Sequence, residues 1–120
     1  MNKILLIDDD LLVLKSFEML LKRAGYIVIM ASCYEQALEA IKKEDFSLIL
    51  SDIRMPNKNG IETVREIQQN LIQAGKNDLP IIFITGYAEI GDQLHANFYG
   101  EILSKPVNND HLLAAIRDYL

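Results

Sequence analysis

Apolar residues in this chain come in short runs, and each run is followed by a stretch where they recur every three or four positions. Lys3 to Ile7 (KILLI) is the first run and reads as a strand. From Leu11 to Ala24, the residues Val13, Phe17, Leu20 and Ala24 fall at helical spacing, and Gly25 suits the position just after the helix. Tyr26 to Ala31 (YIVIMA) is a second strand. Ser32, with Glu35 three positions on, has the form of a capping box for a second helix that carries Leu38 and Ile41 and ends near Lys43. Phe46 to Leu50 (FSLIL) is a third strand, apolar enough to be covered on both faces. Ile61 to Ala74 is a third helix with Val64, Ile67, Leu71 and Ala74 as its buried stripe, ended by Gly75.

Leu79 and Pro80 introduce a fourth strand, Ile81 to Thr85 (IIFIT). Tyr87 to Phe98 is a weaker helix, because Gly91 inside it costs about 1 kcal/mol relative to alanine. Glu101 to Ser104 is a short fifth strand. Asn108 caps a final helix with Leu112, Ala115, Ile116 and Tyr119 along one face.

Strands that alternate with helices imply an α/β fold, a parallel sheet with helices on both faces. Right-handed crossovers leave few topologies, of which the flavodoxin-like, doubly wound order 2-1-3-4-5 is a common one. Five strands and five helices, without a long linker or a repeat, are expected to form one domain over residues 1–120. In that order Asp8 and Asp9 leave the first strand, Asp52 leaves the third, Thr85 ends the fourth and Lys105 follows the fifth. All five then stand on the carboxyl rim of the sheet, where open α/β folds put their chemistry.

Composition narrows the classes. Half of the 120 residues are apolar, so the chain has the makings of a core. A formal net charge of −5 argues against nucleic-acid binding by this domain. Cys33 is the single cysteine, which excludes an internal disulfide and fits a reducing compartment. No apolar run is long enough to span a membrane, so a cytoplasmic protein is the simplest expectation.

Clustered carboxylates repel one another and call for a cation. Oxygen ligands without histidine or cysteine nearby suit Mg2+, which works with phosphates. A carboxylate can also act as a nucleophile and form an aspartyl phosphate, given groups that neutralise the phosphoryl oxygens. Each residue also has a plainer reading. Asp10 is best taken as the cap of the first helix. His95 and His111 lack ligand-spaced partners and read as structural or solvated, Cys33 as a small helix residue. An enzyme on the same fold, such as a flavin carrier or metal phosphatase, stays open, although no glycine-rich phosphate loop is present.

The residues Asp8-Asp9, Asp52 in SDIRMPNKNG, Thr85 in FITGY and Lys105-Pro106 in LSKPV carry a resemblance. By them the chain resembles the receiver domain of two-component response regulators over its whole length. The resemblance implies that Asp52 is the phosphoacceptor. It implies Mg2+ held by Asp9 and Asp52, with Asp8 through water and the backbone carbonyl of Arg54. Thr85 and Lys105 would contact the phosphoryl oxygens, and the bond before Pro106 would be cis. The implied phosphodonor is a sensor histidine kinase or a histidine phosphotransfer protein. The implied output is a change around the fourth helix, fifth strand and fifth helix, read by an output domain or target that the residues do not name. The protein would be a signalling phosphoacceptor and not an enzyme, promoting at most its own phosphorylation and dephosphorylation. It would bind neither nucleic acid nor membrane directly, and a phosphorylation-linked dimer, common in the family, stays open. A pseudo-receiver that never takes phosphate is the rival reading.

Two departures bear on the switch. Ile102 stands where the family often has an aromatic residue, three before the lysine. Arg117 and Asp110 are present in the final helix, but Glu89 to Ala96 contains no lysine to complete one subfamily's dimer pattern. Arg54 and Tyr87 stand two after the acceptor and two after the threonine, places that in the receiver family flank the approach of water, and are expected to govern how long the phosphoryl group lasts.

Overall fold

The computed structural model describes residues 2–55, 59–86 and 99–120. Along these run β1 (Lys3–Ile7), α1 (Leu11–Arg23), β2 (Ile27–Ala31), α2 (Tyr34–Lys43), β3 (Leu48–Ser51), α3 (Gly60–Gln73), β4 (Ile81–Thr85), β5 (Glu101–Ser104) and α4 (Asn109–Tyr119). The helix expected over Tyr87 to Phe98 lies outside the described residues. The strands form one parallel sheet in the order β2-β1-β3-β4-β5, as expected.

Every second residue of a strand faces the same side, so a strand apolar throughout fills two cores. Leu5, Ile7, Ile49, Ile81 and Phe83 pack on one face with Ala37 and Ile41 of α2 and Val64, Ile67 and Leu71 of α3. Ile4, Leu6, Leu48, Leu50, Ile82 and Ile84 pack on the other with Leu14 and Leu21 of α1 and Leu112, Ala115 and Ile116 of α4. The pairing sets the rim. Ile7 lies opposite Ala31 on one side and Ser51 on the other, so Asp8 and Asp52 are the next residues out of adjacent strands. The order in which strands are added reverses between β1 and β3, which run parallel, and the two carboxylates stand at that switch point.

Several boundaries and faces differ from the expectation. β3 starts at Leu48, two residues late, while Phe46 stays buried ahead of it. The buried stripe of α1 is Leu14 and Leu21, supported by Phe17 and Leu20; Val13 is half-buried and Ala24 is the exposed C-cap. So many leucines follow one another there that two stripes satisfy the helical period, and docking on the sheet selects one. Ala74 likewise caps α3 in solvent, and Tyr119 is exposed. In α2, Ala37 takes the buried place beside Ile41 and Leu38 is half-buried.

Caps show the same displacement. The N-cap of α2 is Cys33, without a side-chain bond, and neither Ser32 nor Glu35 fills the expected role. Gln36, at the third position, accepts from the backbone N–H and hydroxyl of Ser32 at 2.7 and 2.9 Å. Cys33 is therefore a cap and not a helix-interior residue. α3 has the capping box missed in the sequence: Asn59 accepts from the Glu62 amide at 2.9 Å, and Glu62 accepts from the Asn59 amide at 3.3 Å. In sequence its signature is N-x-x-E before an apolar stripe. Among the described residues, no helix is long and apolar enough to cross a membrane.

Candidate functional site

β1 and β3 deliver Asp8, Asp9 and Asp52 to one spot, where an oxygen from each lies within 4.8 Å of the others. Asp8 is buried, Asp52 half-buried and Asp9 exposed, so the cluster is a pit with one open wall. The backbone holds the floor. The Asp52 amide donates to the Ile7 carbonyl at 2.9 Å, and the Ile53 amide to Asp52 Oδ1 at 2.7 Å. The Asp10 amide donates to Asp8 Oδ1 at 3.0 Å, while Asp10 Oδ1 takes the amide of Leu12 at 2.9 Å. Asp10 is thus the cap of α1, and its own N–H orients Asp8.

Lys105 enters from β5. Its amide donates to the Thr85 carbonyl at 2.8 Å, and the peptide that follows, Lys105–Pro106, is cis as the resemblance implied. Its Nζ lies 3.4 Å from Oδ2 of both Asp8 and Asp52. Thr85, buried at the end of β4, shares that corner. Arg54 is exposed on the loop two residues past Asp52. Ile102 is half-buried on β5, paired with Phe83 and packed against the core shared by α2 and α3. His111 is exposed on α4, away from the cluster, while Tyr87 and His95 lie outside the described residues.

The electrostatics are unbalanced. Burial raises the Asp8 carboxyl above its ordinary range; the Asp10 amide and Lys105 work against this, and the charge of Asp52 adds to it. Burial disfavours the Lys105 ammonium, yet Asp52 and Asp8 outweigh burial and hold its pKa above the usual value. Two partly buried carboxylates whose oxygens lie within 4.8 Å repel by roughly 3 kcal/mol at the effective dielectric of a protein, while an exposed one such as Asp9 feels only about 1 kcal/mol, near the bulk-water limit. Among the described residues, the pit sets three carboxylates against the Lys105 ammonium and so is net negative. Its donors are all hard oxygens, which fits a small divalent cation of the Mg2+ kind.

The family model described as response regulator receiver domain matches residues 4–117. Among curated proteins, the transcriptional regulatory protein CpxR of Klebsiella pneumoniae is 38% identical over 125 residues. The match covers 100% of this chain and 50% of CpxR, so the chain spans about half the length of that relative. Among solved structures, the chemotaxis protein CheY4 of Vibrio cholerae superposes with a TM-score of 0.88 at 28% identity, covering 100% of this chain and 99% of that one. The response regulator TrrA of Thermotoga maritima, solved in complex with Mg2+ and BeF, gives 0.86 at 28% identity with full coverage of both chains.

Proposed function

Because this chain belongs to the response regulator receiver family, whose members are phosphorylation-dependent switches of two-component systems, we propose that Asp52 is its phosphoacceptor. The observation that carries this reading is the position of Lys105, whose ammonium stands 3.4 Å from both Asp8 and Asp52 at the mouth of the acidic pit. A carboxylate backed by a buried strand and faced by a lysine is arranged for attack on a phosphoryl group.

The chemistry is a displacement at phosphorus. An oxygen of Asp52 forms the new bond, and the bond from phosphorus to the donor's leaving group breaks. With a histidine kinase or phosphotransfer protein as donor, that leaving group is an imidazole nitrogen. Lys105 neutralises charge on the phosphoryl oxygens, and the Thr85 hydroxyl donates to one of them. Mg2+, when bound by Asp9, Asp52, the Arg54 carbonyl and Asp8 through water, supplies further neutralisation of those oxygens. TrrA, a similar receiver solved with Mg2+ and BeF, supports Mg2+ as the cation here.

The same reading assigns the rest. The whole of residues 1–120 is one receiver domain that acts in the cytoplasm and passes its state to an output domain or partner. The change falls on the face built from the Tyr87 to Phe98 segment, β5 and α4, with Thr85 moving toward the phosphoryl group and Ile102 filling the space. Arg54 and Tyr87 shield the aspartyl phosphate from in-line water.

The test is intact-protein mass spectrometry after incubation with a small phosphodonor and Mg2+. The wild type gains one phosphoryl mass and Asp52→Asn gains none. A variant that keeps the added mass would move the acceptor elsewhere.

A further inference from the structure

Next to the acidic pit lies a contact that uses no charged side chain. Ser51, the last residue of β3, is 2% exposed, and its hydroxyl donates to the Asp52 carbonyl at 2.9 Å. Gly60, the first residue of α3, closes on the same carbonyl from outside. A β-carbon at Gly60 would fall 1.8 Å from the Asp52 carbonyl oxygen and 2.9 Å from both the Asp52 carbonyl carbon and Ser51 Oγ. Glycine is required here for the close approach of two backbones. The Gly60 amide also donates to the Ile53 carbonyl at 2.7 Å, so α3 grips the peptides on both sides of Ile53.

We propose that Ser51 and Gly60 are positioning residues for the phosphoacceptor. They hold the Asp52–Ile53 peptide plane, and through it the Asp52 carboxylate and the run to the Arg54 carbonyl. The geometry gives the reason. Asp52 Oδ1 is bonded to the Ile53 amide at 2.7 Å, and that amide belongs to the same peptide as the carbonyl held by Ser51. Rotating the plane therefore turns the donor that orients the carboxylate. Near-attack geometry tolerates little such movement. Ser51 thus acts through Asp52 without touching the phosphodonor, and Gly60 admits the arrangement by having no side chain.

The inference rests on Asp52 as acceptor, and the experiment separates the two. Phosphorylation by a small phosphodonor with Mg2+ is followed by mass in the wild type, Ser51→Ala, Ser51→Thr and Thr63→Val. Thr63 is the control: its hydroxyl is also fully buried and bonds the Asn59 carbonyl at 2.9 Å, without touching Asp52. Ser51→Ala is expected to be phosphorylated roughly three- to tenfold more slowly, the size of one hydrogen bond. Ser51→Thr, which keeps the hydroxyl, recovers most of the rate. Thr63→Val lowers the melting temperature and leaves the rate alone. The 13C shift of the Asp52 carboxylate is read in parallel, without phosphodonor. It moves in Ser51→Ala and in Gly60→Ala, and stays in place in Thr63→Val. A wild-type rate and an unmoved shift in Ser51→Ala would overturn the proposal, as would equal slowing in Thr63→Val. A wild type that takes no phosphate, with the shift still moving in Ser51→Ala, would overturn the acceptor and leave the positioning role intact.

Discussion

Asp9 is the exposed member of the acidic trio, and its exposure separates two effects that are mixed at Asp8 and Asp52. Removing it takes one ligand from the cation and one repulsion from the pit. Asp9→Ala is therefore expected to lose most of its Mg2+ affinity in a titration. It is also expected to melt about 4 °C higher than the wild type without Mg2+, for about 1 kcal/mol of relieved repulsion. Unchanged metal affinity would remove Asp9 from the site. Arg54 and Tyr87 give a second prediction. In the proposed reading the Arg54 guanidinium pairs with the phosphoryl oxygens and, together with Tyr87, keeps water out of line. The double variant Arg54→Asn, Tyr87→Ala should lose phosphate several-fold faster than the wild type once the donor is removed. An unchanged decay would end the shielding idea.

These residues were legible because charge is conspicuous at the end of an apolar run. Asp8, Asp9, Asp52 and Lys105 each follow a strand that the pattern marks, and the structure brings all four together. Ser51 and Gly60 were not legible in the same way. A serine inside a strand and a glycine at a helix start are ordinary in sequence, and only the close packing of Gly60 on the Asp52 carbonyl, where a β-carbon would fall 1.8 Å from the oxygen, points to the role proposed for them.

At the scale of elements, the strands were easier to read than the helix faces. An apolar strand of a parallel sheet is covered on both sides, so no choice of face arises. A helix must choose, and in α1 the leucine-rich sequence allows more than one stripe. Its contact with the sheet decides for Leu14 and Leu21, which no local pattern could weigh. The strand order itself came through resemblance, since alternation alone leaves several orders open. The switch belongs to this scale as well. Ile102 sits on β5 opposite Phe83 and is stiff at χ1, so it has fewer ways to turn inward than an aromatic ring on a freer torsion. Beryllofluoride with Mg2+ is expected to shift the amide resonances of β5 only modestly, with the largest change near Thr85 and Ile102. Identical spectra with and without the mimic would contradict a switch on this face.

For the molecule as a whole, the two rims of the sheet have opposite electrostatic character. The carboxyl rim holds like charges together. At the amino rim opposite charges pair: Lys3 with Glu44 at 2.8 Å and Lys76 with Asp45 at 2.7 Å, tying β1 and the end of α3 to the link between α2 and β3. Lys76 holds the Asp45 carboxyl below its ordinary range. The stability this contributes is present above the ordinary carboxylate pKa and is lost as pH falls through the lowered one. Lys76→Ala should therefore melt slightly lower than the wild type near neutral pH in low salt, and the gap should close in acid and in high salt. Phosphorylation of that variant should be normal, because the pair lies at the other end of the sheet. A gap that persists in acid would assign the loss to packing and not to charge.

The pairing of Ile7 with Ser51 also makes position along the chain a matter of counting. Successive residues of β1 and β3 belong to alternate cores, so removing one residue between Leu48 and Ser51 exchanges the two sets and retracts Asp52 by one rung. No shift of side chains repairs an odd step. An even step restores the faces but leaves the carboxylate a full repeat out of place, below Asp8 instead of beside it. Point changes on these strands can thus be graded by size and polarity, whereas changes of length are all-or-none, and the connections between elements are where this fold can gain or lose residues.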